Sequence, residues 1–173
     1  ILEQQGQAGG DEGLSLDDFL AKEESEKLEF KSSLRFDRNL NKHNREMEKA
    51  VMKTVAAFLN SNGGNLLIGV DDKKNILGLN SDYQTLPRHD ADGFENHFTQ
   101  LFNSAIGPAF RHCVKLSFNT VGNEEVCIVA VSRSLKPVYL KNDNNESFFI
   151  RTGNVTTPLK FSEVESYIKS RWA

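Results

Sequence analysis

The spacing of apolar residues switches repeatedly between the helical and the extended period along this chain. Leu16, Phe19 and Leu20 follow Ser15 at helical spacing, and serine in front of such a run is a favoured N-cap, so the pattern predicts a short helix near 16–23. Leu28 and Phe30 then alternate with Lys27, Glu29 and Lys31, which is the two-residue period of a strand with one apolar face. Its other face would carry Glu29 and Lys31 side by side. Residues 34–46 are polar and read as a loop, after which Met47, Val51, Val55, Phe58 and Leu59 share one helical stripe, predicting a helix over about 43–61. Asn62-Gly63-Gly64 closes it, as glycine commonly does at a helix C-terminus.

The next run, Asn65–Val70, has little polar interruption and reads as a buried strand. A turn at 71–75 and a second strand from Ile76 to Leu79 would complete a hairpin. Residues 80–92 show no period. Phe94, Phe98, Leu101, Phe102 and Ala105 mark another helix, closed by Gly107-Pro108. Strands are expected at 113–118, 126–131 and 148–151, with a short one at 138–140, and a closing helix carries Leu159, Phe161, Val164, Tyr167 and Ile168 with Ser162 as its cap. Helices and strands in this order predict an α+β fold with a mixed β-sheet and packed helices. Residues 1–14 are polar and Gly-rich and read as a linker or disordered lead-in, leaving 15–173 as one domain.

Charge changes this picture by its distribution. The chain holds 21 Lys+Arg and 24 Asp+Glu, a net of −3. Residues 1–26 carry eight acids and one base, a net of −7, and the remainder carries 20 bases against 16 acids, a net of +4. The acidic total therefore does not argue against a nucleic-acid partner. No apolar run approaches the ~20 residues of a membrane span, and no secretory leader is visible, so the expectation is a cytoplasmic protein with no membrane partner. Cys113 and Cys127 form neither a disulfide framework nor a zinc pattern and read as buried reduced thiols. A first residue of Ile rather than Met suggests a piece of a longer chain.

Three features bear on chemistry. Glu24, Glu29 and Lys31, with the Asp71-Asp72 pair further on, are the residue types of a phosphodiesterase centre. Carboxylates hold Mg²⁺ or Mn²⁺, the ion polarises the phosphodiester, and a lysine neutralises the transition state. Equally, Glu-x-Lys segments are commonly solvated, and Asp-Asp-Lys-Lys is ordinary turn composition. The second feature is positive charge. Residues 27–53 carry eight bases and four acids, and Lys42, Arg45, Lys49 and Lys53 lie on one side of the predicted helix, away from its apolar stripe. Such a face suits a phosphate backbone, although it also suits plain solvation. The third is the set of glycines at 63, 64 and 69. They follow a helix rather than precede one, so turn geometry explains them better than a phosphate loop. His43, His89, His97 and His112 lack ligand spacing. Arg151 stands at a strand end, placed to meet a phosphate or to pair with a carboxylate.

The ordered blocks are more specific than any single one. Glu24-Ser25-Glu26-Lys27-Leu28-Glu29-Phe30-Lys31, Ala56-Ala57-Phe58-Leu59-Asn60, residues 63–72 (GGNLLIGVDD), Arg133 through Pro137-Val138-Tyr139, and Phe149-Ile150-Arg151-Thr152-Gly153-Asn154 together resemble the Schlafen AlbA-type domain over residues 24–158. The resemblance implies an α+β lobe and a partner in RNA (tRNA-like) or a DNA backbone. It further implies a metal-dependent endoribonuclease with Mg²⁺ or Mn²⁺ held by Glu24, Glu29 and, by register, Asp72 rather than Asp71. Lys31 would be the basic catalytic residue, and Lys27, Arg35, Lys42, Arg45, Lys49 and Arg151 would guide the backbone. Animal Schlafens join two such lobes, so a single lobe would need a homodimer to form a comparable groove. The alternatives are a non-catalytic DNA- or RNA-binding module of a regulatory or defence protein, and a protein–protein dimerisation domain.

Overall fold

In the computed structural model, residues 13–173 are described; the expected lead-in lies almost wholly outside them. The first helix, α1 (Leu16–Leu20), starts where expected. Ser15 caps it, with the Ser15 hydroxyl accepting from the Asp18 amide and the Asp18 carboxylate accepting from the Ser15 amide. Strand β1 (Leu28–Lys31) follows. Where the sequence predicts a loop, a small ribbon of β2 (Phe36–Asp37) and β3 (Lys42–His43) folds back on itself. Helix α2 (Arg45–Asn60) is capped by the Asn44 side chain. It leads into β4 (Gly64–Ile68), then α3 (Asn80–Gln84) and α4 (Ala91–Ala105). A 3-10 turn at 108–113 precedes β5 (Val114–Val121) and β6 (Glu124–Val131). Two hairpins, β7 (Leu140–Asn142) with β8 (Asn145–Ser147) and β9 (Phe149–Thr152) with β10 (Val155–Pro158), lead to α5 (Phe161–Trp172).

The central sheet runs β1-β4-β6-β5, with β1 and β4 parallel and the other pairs antiparallel. It is the mixed sheet of an α+β fold. One face meets α2 and α4 through Val51, Val55, Phe58, Phe94, Phe98 and Phe102, all fully buried. The other face is covered by α1 through Leu16 and Phe19, against Leu28, Phe30, Leu67 and Ile128. The period-two reading of β1 is therefore correct: Leu28 and Phe30 face α1, and Glu29 and Lys31 face the α2 side at the sheet edge.

Three expectations change. The hairpin after β4 reduces to a single Val70–Ile76 bridge, because Gly69 at φ 101 breaks the strand. Gly69 and Val70 both donate to the Lys31 carbonyl. Ile68 thus packs with the α2 side and Val70 with the α1 side, as strict alternation would not allow. Helix α5 begins at Phe161, with Lys160 in the cap position rather than Ser162, and Phe161 is almost fully exposed. Of the two thiols, Cys127 is buried and Cys113 is only half-buried; both are free. No helix among the described residues is long and apolar enough to cross a membrane.

The turn after β1 depends on Asp82 of α3, which is buried. Its carboxylate accepts from the amides of Leu34, Arg35 and Phe36 at 2.8–2.9 Å. Burial pushes this carboxyl above its ordinary range, and the three amides pull the other way. In Asp82→Asn an amide NH₂ must face one of these N–H groups, leaving a buried donor unpaired. We expect a loss of about 1–3 kcal/mol in urea denaturation, with the fold retained.

Candidate nucleic-acid interface

The Glu29 carboxylate sits at the sheet edge between two cations. Arg151 of β9 reaches it at 2.9 Å and Lys31 at 3.4 Å. Arg151 is the surprise. Its side chain is 1 % exposed and every outward path is closed. Its guanidinium also donates to the Ser25 carbonyl at 2.6 Å and the Thr156 hydroxyl at 3.0 Å, and lies 5.0 Å over the Phe58 ring. Of the two roles open to it in sequence, the carboxylate pair is the one it adopts. It is thus not presented outward among the backbone-guiding bases: the guanidinium is enclosed, and its Nε is buried without a hydrogen-bond partner.

The other acids are engaged separately. One oxygen of Glu24 accepts from the Phe30 amide at 3.0 Å, tying the segment before β1 to the strand. Asp71 closes the turn after β4: one carboxylate oxygen accepts from the amides of Lys73 and Asn75 and the other from the Asn75 side chain, and these bonds hold its pKa below the ordinary range. Asp72 is exposed in that turn, beyond the end of β4. Among the described residues no group of three or more His, Cys, Asp or Glu is placed to hold a metal ion. Glu24, Glu29 and Asp72 are not grouped as the donor set of a divalent ion, and the cations beside Glu29 are the Arg151 guanidinium and the Lys31 ammonium.

The bases divide in the same way. Arg35 is folded inward, its Nε 3.8 Å from the Glu48 carboxylate and its Nη1 3.4 Å from the Thr85 carbonyl. Glu48 is itself buried and bonded to His97 at 2.5 Å, a cluster that sequence spacing did not reveal because its members are 13 and 49 residues apart. Lys27 is half-buried beside β1. Lys42 and Arg45 are exposed, Lys42 opposite Asp37 in the β2–β3 ribbon. Lys49 pairs only with Glu46, which is largely exposed, and such pairs contribute little. Lys53 extends over the Phe149 ring. Arg45, Lys49 and Lys53, spaced four apart, line a single groove of about 400 Å³ between α2, α4 and the β7–β8 hairpin. The far rim carries Lys141, which the sequence reading passed over.

This fold is a small α+β lobe with a mixed four-stranded sheet and, beside it, a helix carrying Arg45, Lys49 and Lys53 along the groove. Residues 24–160 match the Schlafen, AlbA_2 family, and the chain belongs to it. The family points to a nucleic-acid-related function. Over 136 residues the chain is 28% identical to an "Uncharacterized ATP-binding protein" of Ureaplasma parvum serovar 3, covering 69% of this chain and 37% of that relative. The chain thus spans little more than a third of that relative's length. Among solved structures, the DIP2311 protein from Corynebacterium diphtheriae superposes with a TM-score of 0.60 at 18% identity, over 91% of this chain and 31% of that one. The N-terminal domain of a RecG-related protein from Nitrosomonas europaea does so with a TM-score of 0.50 at 23% identity, over 83% and 90%. At these identities the likeness is one of fold.

The environment of Arg151 has a direct consequence for stability. Removing one partner of a buried ion pair strands the other charge, so Arg151→Ala is expected to cost roughly 3–5 kcal/mol. The double variant Arg151→Leu with Glu29→Leu is expected to lose less than the sum of the single changes. Chemical denaturation of the four proteins checks this; additive losses would mean that the two groups are uncoupled.

Proposed function

We propose that this domain is a nucleic-acid-binding module that holds the phosphate backbone along α2 and the ribbon before it. The observation that supports this most strongly is the line of cations Lys42, Arg45, Lys49 and Lys53, which are left facing outward while the inward bases Arg35 and Arg151 are consumed by buried carboxylates. Contacts of this type neutralise phosphates and release counterions, so they give affinity without reading sequence. The names of the relatives agree with such a partner: one is named for ATP binding, and the other for an ATP-dependent DNA helicase.

Metal-dependent RNA cleavage is the finer reading that the resemblance implies. Its support is the Glu29–Lys31 pair on one face of β1. Against it, Glu24 and Glu29 are engaged separately, Asp72 lies exposed in the turn after β4, and among the described residues the three are not grouped around one ion. The binding role needs no such ion, and it is the one we hold.

Fluorescence anisotropy with RNA and DNA oligonucleotides between 50 and 200 mM salt tests the proposal. The logarithm of affinity is expected to fall linearly with the logarithm of salt. The triple variant Lys42→Ala, Arg45→Ala, Lys49→Ala is expected to make that slope shallower by about 3. Absent or salt-independent binding would overturn the reading. Incubation with tRNA and Mn²⁺ in parallel is expected to leave the RNA intact; cleavage abolished by Glu29→Ala would restore the nuclease reading.

A further inference from the structure

The cations of α2 do not stand on a simple convex surface. They form one wall of a groove whose other side is Lys141, on a separate hairpin. The floor between them is apolar: Met52 of α2, Leu101 of α4 and Leu140 of β7. Met52 and Leu140 lie at the base of the groove at 3 % exposure, and the half-buried Leu101 and Ala105 present most of its accessible apolar surface. Ser104 and Asn142 add two polar side chains at the edge, neither with a side-chain partner among the described residues. An apolar floor with a few polar groups and a cationic rim suits a flat, largely apolar body that carries anionic groups on its flanks.

We infer that this groove seats one unstacked nucleotide of a single-stranded nucleic acid, its base on the Met52–Leu101–Leu140 floor and its flanking phosphates between Arg45 or Lys49 on one side and Lys141 on the other. This rests on the nucleic-acid-binding reading above and adds the strandedness and the seat. Volume favours one nucleotide: about 400 Å³ is near the lower end of the ~300–1,000 Å³ of small-ligand sites. In a duplex the bases are stacked and paired, so none can reach such a floor, whereas an unpaired strand can splay one out. Two acids border the groove. Glu48 is held by His97 and Arg35, which leaves its charge compensated. Asp143 at the hairpin tip is exposed and has no such partner, so it opposes the ligand. It takes a positive φ of 53, which asparagine tolerates. Because no aromatic ring lines the groove, the base is held by dispersion and the seat should be tolerant of base identity.

The test compares three labelled ligands of equal length: a single-stranded oligonucleotide, the same strand with abasic sites throughout, and a duplex. The first is expected to bind roughly fivefold or more tightly than the second, because only it offers a base to the floor. Lys141→Ala is expected to weaken the single strand roughly threefold to tenfold and to make its salt slope shallower by about 1, although Lys141 is not on α2. Asp143→Asn is expected to tighten it. Ser104→Ile places an aliphatic side chain in the groove without changing charge, and should abolish the difference between the normal and abasic strands. If that difference persists in Ser104→Ile, or if Lys141→Ala has no effect, the groove is not the seat, while salt-dependent binding still supports the function proposed above. Equal affinity for the duplex would also overturn the inference. So would binding of ATP alone as tight as that of the oligonucleotide, since the groove would then be a free-nucleotide site.

Discussion

The buried contact between Arg151 and Glu29 is the constraint on which the arrangement of this lobe depends. Removing a guanidinium and a carboxylate from water costs several kcal/mol per ion, and their mutual attraction offsets this only with further hydrogen bonds. Here those bonds come from distant points in the chain. Arg151 engages Glu29 on β1, the Ser25 carbonyl before it and Thr156 on β10, while its flat face rests on Phe58 of α2. Four segments separated by up to 126 residues therefore meet at one side chain. The contact ties the β9–β10 hairpin, which packs on α2, to the edge strand β1. It also removes from solvent the one carboxylate of β1 that a metal site would have needed.

A second polar junction fixes α2 from its C-terminal end. Asn60 is fully buried, and its amide donates to the carbonyls of Val138 and Phe149 while its oxygen accepts from the Val138 amide. Tyr167 of α5 donates to the Asn60 carbonyl at 2.5 Å. Both donors of this asparagine side chain and one of its two acceptor lone pairs are spent on the segments leading into the two hairpins, which is how a buried amide becomes tolerable. The result is a helix pinned at its last residue and packed along one side by Val51, Val55 and Phe58. Its outward cations therefore project from a rigid element. A charged face on a rigid support keeps its spacing when a ligand arrives, so less ordering entropy opposes binding.

Legibility in sequence followed the range of the interaction. Local patterns survived well: the Ser15 cap, the two-residue alternation of β1, the stripe of α2 and its arrest before Gly63 all depend on neighbours within a turn or two. Gly63 itself shows the mechanism, since its φ of 74 and a Val131 carbonyl 2.5 Å from where a Cβ would stand exclude other residues. The hairpin after β4 failed because the bonding partners of β4 are β1 and β6, neither of them adjacent in sequence. The site followed the same rule. That Glu29 and Lys31 share a face was readable from alternation. That Arg151 would arrive from 122 residues away and be buried against Glu29 was not, nor that Lys141 would complete a cationic groove begun by α2. Charge type is written locally, but whether a charge faces a partner or the solvent is decided by tertiary packing.

This sorting also settles what the charge distribution means. Two inward cations here are matched to carboxylates: Arg151 to Glu29, and Arg35 to Glu48 with His97 beside it. Such pairs contribute nothing to the field felt by an approaching polyanion, because opposite charges a few ångströms apart cancel at longer range. The field is set by what remains outside, and along β3, α2 and the β7–β8 hairpin that is Lys42, Arg45, Lys49, Lys53 and Lys141 against Glu46, Asp143 and Glu146, the last opposite Lys141. Simple counting over residues 27–53 gave the correct sign for a reason it did not contain: the acids of that segment that are buried are those already neutralised by bases from the same or neighbouring segments. A chain of net −3 can therefore present a positive groove. In the reading proposed above, a nucleic-acid strand differs from a simple anion at this groove because the cations surround an apolar floor, so that charge and dispersion would be satisfied by one ligand.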